Sequence, residues 1–380
     1  MTAKQMLNEK PQQTGKAKPT FDHMLEYWLG DYRPKEPTPE KSGLPYLWKW
    51  ADLRSVIYPT GESVDINDAE RRGFALVNPS LDGRPYMTNT LYSDLQMLRP
   101  GERCTAHRHT ASASRFVLEG PDVGGYTIID GERMEMGRGD LVITPNWTWH
   151  HHGNEGKKEI IYLNILDIPV VTYLGAVFND LDYKKMGDEE EDYQSVTEPA
   201  GLSESLYGSG GVVPRFVSAL PDGQPLKKRD AFTSKYFYPW KRTHEQLERL
   251  KKYPGSPYDG IIVEYVNPRT GGPVIPTTSF NMQLLRPGEH TLSHRQTSSA
   301  IFVVHEGRGY TLAGDQRIDW DKNDIFSIPP WVWHHHVNLQ ANADATLLTV
   351  TDQPMVRAMG CYREEGRTDK GQVVLVEQNY

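Results

Sequence analysis

Residues 95–120 read LQMLRPGERCTAHRHTASASRFVLEG, and residues 282–307 read MQLLRPGEHTLSHRQTSSAIFVVHEG. A second pair of segments repeats in the same order: residues 139–154 read GDLVITPNWTWHHHGN, and residues 323–338 read NDIFSIPPWVWHHHVN. Self-similarity at a fixed spacing indicates a duplicated structural unit. The chain therefore contains two copies of one module, each of roughly 100 residues.

The residue pattern within each copy is typical of β-structure. Short apolar runs such as RFVLEG (115–120) and DLVITP (140–145) are bounded by Gly, Pro and Asp, and the chain contains 33 Gly and 27 Pro. This amount of turn chemistry favours many short strands over long helices. We therefore predict an all-β-dominated fold of two barrels, with an N-terminal helical arm and a long inter-barrel linker.

Changes in composition along the chain predict five segments. Helical apolar spacing occurs at 21–31, a second helical piece is expected over 65–74, and an acidic run at 187–192 lies in a long connection. The predicted division is 1–74 for the N-terminal arm and helices, 75–177 for barrel 1, 178–257 for a linker with a charged helix, 258–355 for barrel 2, and 356–380 for a C-terminal tail.

The composition of the 380-residue chain excludes several classes of function. Its net charge of −8 provides no basic surplus for binding nucleic acid. No apolar run approaches the ~20 residues that span a bilayer, and the N-terminus lacks the apolar core of a secretory signal. Only Cys104 and Cys361 are present. A disulfide scaffold is therefore excluded, and a reducing, cytoplasmic location is expected.

His107 and His109 form an HxH pair in the first copy. Residues i and i+2 of a strand point to the same face, so the two imidazoles project together with Cα atoms about 7 Å apart. In the second repeated segment His150 and His152 share one face and His151 points to the other. Either His150 or His152 completes a three-His set. Because neutral imidazole is a ligand for Fe, Zn, Cu and Ni, the first copy predicts a transition-metal site.

The second copy lacks part of this set. His294 and Gln296 stand where the first copy has its HxH pair, and the inward imidazoles are reduced to His294 and His334. Gln is a poor ligand for a divalent transition metal. We therefore expect a vacant or much weaker metal site in the second copy. The role of that copy would be structural, in packing and in forming an interface.

The spacing of these residues resembles the two cupin motifs. Many cupins add a Glu shortly after the HxH pair, whereas Ala113 and Ser114 occupy that stretch here, which leaves three His without a carboxylate. With HRHTASASRF, TPNWTWHHHGN and LDIP, the chain resembles the gentisate 1,2-dioxygenase family over residues 45–352. The resemblance implies a bicupin of two jelly-roll-type barrels. The motifs G-x5-H-x-H and G-D-x4-P-x4-H-x3-N fall on Gly101, His107, His109, Gly139, Pro145, His150 and Asn154.

The resemblance also implies an activity and a set of site residues. The family includes gentisate, salicylate, 5-nitrosalicylate and 1-hydroxy-2-naphthoate dioxygenases, which implies ring opening between the carboxyl- and hydroxyl-bearing carbons with O2. The implied roles are Fe(II) ligands His107, His109 and His150, a carboxylate clamp at Arg115, a second arginine at Arg71, pocket residues Tyr92 and Gln96, and a catalytic His152 beside the substrate oxygen. In the second copy Phe302 stands at the position of Arg115, so the carboxylate clamp is missing there.

Position 164 departs from the family pattern. Family members commonly have an Asp in a run like W-L-D-G-L-D-I-P, where this chain reads YLNILDIP at 162–169 with Asn164 in its place. Asn cannot act as a base at neutral pH. This favours a salicylate that lacks the 5-hydroxyl, such as salicylate or 5-nitrosalicylate. The alternative is that Asn164 is a neutral change in an ordinary gentisate enzyme.

Three other readings remain as alternatives. A 1-hydroxy-2-naphthoate dioxygenase shares the same motifs. A bicupin Mn decarboxylase would have two metal-filled barrels with a Glu ligand. A binding or storage bicupin would have no need for an HxH pair and an arginine such as Arg115 that occur in only one of its two copies. The partners implied by the resemblance are a small aromatic hydroxy acid, O2 and further copies of the chain in a homotetramer.

Overall fold

The computed structural model describes residues 36–40, 42–69, 71–121, 123–183, 196–208, 221–224 and 235–379. The helix predicted over 21–31 and the acidic run at 187–192 lie outside these residues. The described part of the chain is rich in strands and has few helices, which confirms the all-β-dominated prediction. None of its helices is long and apolar enough to cross a membrane.

Strands make up most of the structure. The first half contains β1 Tyr46–Trp48, β2 Gly73–Ala75, β3 Tyr92–Leu98, β4 Arg108–His109, β5 Ala113–Glu119, β6 Gly125–Ile129, β7 Glu132–Glu135, β8 Leu141–Thr144, β9 His150–Asn154, β10 Ile160–Leu166, β11 Asn179–Asp180 and β12 Phe237–Tyr238. The second half contains β13 Ile261–Glu264, β14 Ser279–Leu285, β15 His294–Gln296, β16 Ala300–Glu306, β17 Arg308–Ala313, β18 Gln316–Asp321, β19 Ile325–Ile328, β20 His334–Asn338, β21 Ala345–Thr351, β22 Arg363–Arg367 and β23 Val373–Gln378. The helices are α1 Trp50–Ser63, α2 Ile66–Ala69, α3 Ile168–Tyr173, α4 Leu202–Tyr207, α5 Trp240–Leu250 and α6 Gln353–Ala358.

The two copies fold into two barrels of the same design, which confirms the predicted bicupin. In the first barrel a six-stranded antiparallel sheet of order β12-β8-β5-β10-β3-β2 packs against the sheet β7-β6-β9, and β11 and β4 form a separate short pair. In the second, a six-stranded sheet of order β1-β19-β16-β21-β14-β13 packs against one of order β18-β17-β20-β15-β22-β23. The space between the two sheets of a barrel is where a site can form.

Each of the two long sheets that begin with β12 and β1 is buried on both faces. On β10, Leu163 and Ile165 belong to an apolar core that also contains Met282 and Leu348 of the second barrel. The other face of β10 turns into the first barrel, where Tyr162 packs. Strands buried on both faces read as continuous apolar runs rather than alternating ones. This explains the run IIYLNIL at 160–166, in which Asn164 is the polar exception.

The two barrels exchange an edge strand. Strand β1 precedes the first barrel in the sequence but pairs with β19 of the second barrel, with Leu47 opposite Phe326. Strand β12 precedes the second barrel but pairs with β8 of the first, with Phe237 opposite Val142. Each barrel is therefore completed by the segment that leads into the other one.

An aspartate caps the helix that follows each exchanged strand. Asp324 accepts hydrogen bonds from the Trp50 backbone N–H, which begins α1, and from Lys49 Nζ, both at 2.7 Å. Asp140 accepts the equivalent bond from the Trp240 backbone N–H, which begins α5, at 2.7 Å. A side-chain acceptor at a helix start satisfies a backbone donor that the helix leaves unpaired. The duplication thus extends to the strand–helix unit in front of each barrel.

Asp324→Ala is expected to lower the free energy of unfolding by about 2–4 kcal/mol. The change leaves the Trp50 N–H without its acceptor and removes the carboxylate partner of Lys49, whose Nζ keeps its hydrogen bond to the Asp319 carbonyl. The Asp324 side chain is 3% exposed. Calorimetric thermal unfolding measures the loss. Asp321→Ala is the matched control, because that side chain is 70% exposed and lies 3.7 Å from Lys49. Equal losses in the two variants would contradict the capping role.

Two further aspartates connect the barrels. Asp167 accepts hydrogen bonds from Ser112 N at 2.9 Å and Ser112 Oγ at 2.8 Å in its own barrel, and from Thr277 Oγ1 of the second barrel at 2.6 Å. Asp352 repeats the arrangement in the second barrel and accepts from Thr90 Oγ1 of the first at 2.5 Å. The aspartate of the LDIP run therefore holds the loop that follows the HxH pair and fastens it to the other barrel.

Helix α1 is not evident from the sequence. Pro59 and Gly61 lie inside it, and both residue types disfavour a helix interior. A Cβ atom on Gly61 would lie 1.7 Å from Met97 Cε, so the glycine permits close packing of α1 on β3. Of the helical piece expected over 65–74, four residues form α2 and the chain then enters β2. The stretch 178–257, expected as a linker with a charged helix, contains the short strand β12 followed by the charged helix α5.

Strand pairing runs across the predicted segment boundaries. Strand β2 begins before residue 75 and pairs with β3 of the first barrel. Strands β22 and β23 lie in the stretch expected as a C-terminal tail, yet β22 pairs with β15 and with β23. The second barrel thus includes residues 363–378, while the five-segment division as a whole remains a prediction.

Candidate metal centre and active site

Three imidazoles meet at the inner face of the first barrel. His107 and His150 lie opposite each other in a β-bridge, and His109 lies on β4. One ring nitrogen from each of the three lies within 4.8 Å of the others. The predicted set His107, His109 and His150 is therefore brought together, and within the residues that the structure describes it is the one cluster of three or more groups suited to a metal ion.

Backbone carbonyls determine which ring nitrogen of each histidine is available. The Nδ1 atoms of His107, His109 and His150 lie 3.1, 2.7 and 2.8 Å from the carbonyl oxygens of Thr105, Ala111 and Thr148. Since a carbonyl only accepts, each Nδ1 must carry the proton and donate it. Each Nε2 therefore keeps a lone pair, as a metal ligand requires.

Burial keeps these rings neutral. Removal from water lowers the pKa of His109 to about 4 and lowers the pKa values of His107 and His150 well below their usual range, with nearby Arg and His groups adding to the effect at His107 and His150. His150 Nε2 is buried and has no hydrogen-bond partner among the described residues. Neutral imidazoles with one unsatisfied inward nitrogen fit a divalent transition metal.

A cavity of about 200 Å³ opens beside the three histidines. All six residues that the sequence placed in a substrate pocket line it together with two of the histidines. The strand register explains the four of them that lie on β3, β5 and β10, because alternate residues of these strands point into the barrel. The polar residues that line the cavity are Arg71, Tyr92, Asp94, Gln96, His107, His109, Arg115, His152, Asn164 and Asn179.

Two guanidinium groups give the cavity an anion-binding character. Arg115 Nη1 donates to Thr144 Oγ1 at 2.7 Å, and burial lowers the pKa of Arg115 to about 10, which leaves it cationic at neutral pH. The Nε atoms of Arg115 and Arg71 are buried without hydrogen-bond partners in the described part of the chain. A planar guanidinium with free donors is suited to a carboxylate.

His152 stands beside the histidine cluster with one nitrogen unused. Its Nδ1 lies 2.9 Å from Thr127 Oγ1, and its ring centroid lies 6.3 Å from that of His107. Its Nε2 is buried and finds no partner within the described ranges. Burial, together with the charge of Arg115, lowers the pKa of His152 well below its usual range. The Thr127 hydroxyl donates to Met136 Sδ at 3.2 Å, so it accepts from Nδ1–H of His152. The neutral imidazole then has a lone pair at Nε2 that can accept a proton or hydrogen bond from a ligand.

Comparison with known proteins identifies the family. Both barrels match the cupin domain, at residues 94–166 and 281–351. A 5-aminosalicylate 1,2-dioxygenase of Comamonas sp is 34% identical over 92% of this chain and 88% of that protein. A gentisate 1,2 dioxygenase of Aquipseudomonas alcaligenes is 35% identical over 86% of this chain and 88% of that protein. The chain belongs to the gentisate 1,2-dioxygenase family. It is an aromatic ring-cleaving dioxygenase.

A solved structure agrees with this assignment. The salicylate 1,2-dioxygenase from Pseudaminobacter salicylatoxidans superposes with a TM-score of 0.75 and 29% sequence identity, over 90% of this chain and 94% of that one. The bicupin recognised from the repeated motifs and the enzyme class implied by the resemblance are both confirmed.

The structure adds two polar pocket residues of this dioxygenase that the sequence analysis missed, Asn179 on β11 and Asp94. Asp94 lies on β3 between Tyr92 and Gln96, and its carboxylate lines the cavity. Burial raises the pKa of Asp94, although hydrogen bonds from Asn164 and Tyr92 and the charges of Arg115 and Arg71 oppose that shift. Asp94 is two residues from Tyr92 and two from Gln96 on the same strand, so the strand period alone could have predicted that it faces the pocket.

The tryptophans of the WTWHHHG run pack against other aromatic side chains and against Arg108. Trp147 contacts Phe178 with ring centroids 4.7 Å apart, and Trp149 contacts Tyr183 at 4.9 Å. The Arg108 guanidinium lies between them, 4.4 and 4.7 Å from the two rings. Neither tryptophan is among the described residues that line the cavity. They pack around Arg108, the neighbour of His109 on β4.

The second barrel of the dioxygenase keeps a cavity of about 130 Å³ but has different chemistry. His294 Nδ1 lies 2.9 Å from Glu364 Oε1 instead of a backbone carbonyl. Gln296 accepts a hydrogen bond from Tyr362 at 3.3 Å, and Phe302 occupies the place of the clamp arginine. Glu364 comes from β22, in the stretch expected as a tail. The second site is thus rebuilt around a His–Glu pair.

Glu364→Gln is expected to destabilise the protein by about 1–3 kcal/mol near pH 6. Burial alone would lower the pKa of His294, but Glu364 and Asp259 outweigh it and raise that pKa, while His294 helps to lower the pKa of Glu364. The contribution of a group with a raised folded pKa is complete below its unfolded pKa of about 6.5 and is lost as pH rises through the folded value. The difference in melting temperature from wild type should therefore shrink between pH 6 and pH 9.

Glu377→Gln provides the control for this pH dependence. Glu377 pairs with Arg357, which does not titrate in this range, and its side chain is 42% exposed. Its melting-temperature difference should stay constant from pH 6 to pH 9. A Glu364→Gln difference that is equally constant would show that His294 does not carry the charge of the pair.

Proposed function

We propose that the protein is an Fe(II)-dependent dioxygenase that opens the ring of a 2-hydroxybenzoate between the carboxyl- and hydroxyl-bearing carbons, with incorporation of O2. The observation that supports this proposal is that three neutral imidazoles and two guanidinium groups surround one cavity in one barrel. A 2-hydroxybenzoate presents the matching chemistry. Its carboxylate suits a guanidinium, and a carboxylate oxygen together with the neighbouring hydroxyl oxygen suits a metal ion.

His107, His109 and His150 would hold the Fe(II). Their Nε2 lone pairs converge, and their Nδ1 atoms are held by backbone carbonyls. Three neutral ligands leave the metal with its full charge and open positions on the cavity side. Bound iron would supply sites for the chelating substrate and for O2, and a route for electron density from ring to oxygen.

Arg115 would fix the substrate carboxylate. Its guanidinium is held at Nη1 by Thr144, so its remaining donors are aimed before the ligand arrives. Arg71, at the rim of the same cavity, would add a second positive charge. Preorganised donors of this kind lower the cost of orienting a charged ligand. Tyr92 and Leu166 would form the walls beside the ring.

His152 would handle the phenolic proton. Thr127 holds its Nδ1, and its buried Nε2 has no partner among the described residues. A neutral imidazole in that position accepts the hydroxyl proton at Nε2 when the substrate binds as a chelate, and returns a proton to the product. The reaction thus needs no other base at that oxygen.

Oxygen uptake tests this proposal. Protein loaded anaerobically with Fe(II) is given gentisate, salicylate, 5-nitrosalicylate and 1-hydroxy-2-naphthoate in parallel. We expect uptake of one O2 per ring-opened product with at least one of these acids, and none from protein loaded with Zn(II). Absence of uptake with every acid, although one iron is bound per chain, would contradict the proposal.

We also propose a cytoplasmic homotetramer, which remains a prediction from the sequence. Sedimentation equilibrium of the full chain tests the assembly, with a mass of four chains as the expected result. A monomer at micromolar concentration would contradict it.

A further inference from the structure

A row of three polar side chains crosses the floor of the cavity. Asp94 on β3 lies opposite Asn164 on β10, and Asn164 lies opposite Arg115 on β5. Residues directly opposite each other in neighbouring strands project from the same face of a sheet. All three line the cavity. The pocket floor therefore presents a carboxylate, an amide and a guanidinium in that order.

Hydrogen bonds determine how the Asn164 amide is turned. Its Nδ2 donates to Asp94 Oδ1 at 2.7 Å and to Gln96 Oε1 at 3.3 Å. Both partners are acceptors, so the NH2 end must lie on that side. The Oδ1 atom is left facing away from them, buried in a residue that is 6% exposed, and has no partner within the residues that the structure describes.

The second barrel shows that this row is not part of the shared scaffold. The equivalent positions there are Asn281, Thr349 and Phe302, which pair across the same three strands. None of these three carries a charge. The carboxylate and the oriented amide thus accompany the histidine cluster and the arginine clamp, as expected for groups that contact a ligand.

We propose that Asp94 and Asn164 act together as a specificity site that selects a salicylate-type ring carrying a hydrogen-bond donor, a hydroxyl or amino group, on the side away from Arg115. This inference rests on the proposed function. A hydroxyl or amino group there donates to the carboxylate of Asp94, which the Asn164 amide holds through its Nδ2 hydrogen bond. A nitro group only accepts and would face that carboxylate, and an unsubstituted ring offers the carboxylate no donor.

The inference changes the interpretation of position 164. Asn164 alone favoured a substrate without a 5-hydroxyl, because the amide cannot replace a carboxylate as a base. The structure supplies a carboxylate from the neighbouring strand at Asp94, in direct contact with Asn164. Tyr92, two residues before Asp94 on β3, lines the same cavity. Asn164 holds the Asp94 carboxylate through a hydrogen bond, so the pocket keeps a carboxylate although position 164 is an amide.

Ligand ranking tests the proposal with two readouts. Dissociation constants are measured calorimetrically under anaerobic conditions on the Fe(II)-loaded protein, and kcat/KM is measured by oxygen uptake. The ligands are gentisate, 5-aminosalicylate, salicylate and 5-nitrosalicylate. We expect gentisate or 5-aminosalicylate to exceed both other acids by about tenfold or more in each readout. The two donor-bearing acids distinguish a hydroxyl from an amino preference.

Asp94→Asn removes the charge and keeps the shape of the side chain. We expect the preference for donor-bearing acids over salicylate, measured as the ratio of their kcat/KM values, to fall about tenfold. Asn281→Ala, at the equivalent position of the second barrel, is the matched control and should leave the ranking unchanged. A ranking that survives Asp94→Asn in folded protein would overturn the role of Asp94.

The wild-type ranking decides the proposal even where a variant fails to fold. Tighter binding or faster turnover of salicylate or 5-nitrosalicylate than of both donor-bearing acids would overturn it while leaving the proposed function intact. Absence of turnover with all four acids would contradict the proposed function, and the anaerobic dissociation constants would still support or overturn the donor preference. Absence of binding by all four would overturn both.

Discussion

His109→Ala is expected to abolish metal retention and to lower turnover by at least about a thousandfold. His109 provides one of three inward Nε2 atoms, and its Nδ1 is held by the Ala111 carbonyl at 2.7 Å. Within the described residues the cluster contains three groups and no carboxylate. Loss of one ligand therefore leaves two neutral imidazoles, which hold a divalent metal weakly. Elemental analysis after dialysis measures retention, and oxygen uptake measures turnover.

Gln296→Ala is the matched control for this variant. Gln296 stands in the second barrel where His109 stands in the first, and its carboxamide contacts Tyr362 rather than a histidine cluster. Metal content and turnover should stay within about twofold of wild type. Wild-type iron content in His109→Ala would show that the metal lies elsewhere. A large loss in Gln296→Ala would show that the second barrel takes part in the reaction.

Arg115→Ala is expected to raise KM and lower kcat together, with a loss of about a hundredfold in kcat/KM. The guanidinium is a buried cation that lines the cavity, and Thr144 holds its Nη1. Two charge-assisted hydrogen bonds from it to the substrate carboxylate would both bind the substrate and orient its ring. Loss of the clamp weakens binding and also displaces the ring from the metal. Steady-state kinetics by oxygen uptake over a range of substrate concentrations measures both constants.

Arg115→Lys separates charge from geometry. An ammonium keeps the positive charge but cannot form the two parallel hydrogen bonds of a guanidinium. Partial recovery of KM with little recovery of kcat is expected. Iron content should equal that of wild type in both variants, because Arg115 is not in the histidine cluster. Unchanged kinetics in Arg115→Ala would exclude Arg115 as the carboxylate clamp.

Local patterns in the sequence were sufficient for the architecture and for most of the site. The repeated motifs indicated two barrels, and the HxH spacing placed His107 and His109 on one face. The period of two residues along a strand is a property of the backbone itself, so such pairs can be predicted without knowing which strands are neighbours. The same period brings Tyr92 and Gln96 into the cavity that the arginines line.

Only the tertiary structure decided which strands lie next to each other. The contact between Asp94 and Asn164 joins residues 70 positions apart, and the contact between His294 and Glu364 also spans 70. The exchange of β1 and β12 between barrels depends on contacts at still longer range. Pairing and register follow from burial summed over whole strands, so no local pattern in the sequence encodes them. For this reason the sequence, through its family resemblance, predicted the enzyme class and a set of three histidines that the fold brings together. The carboxylate beside Asn164 emerged only from the folded barrel.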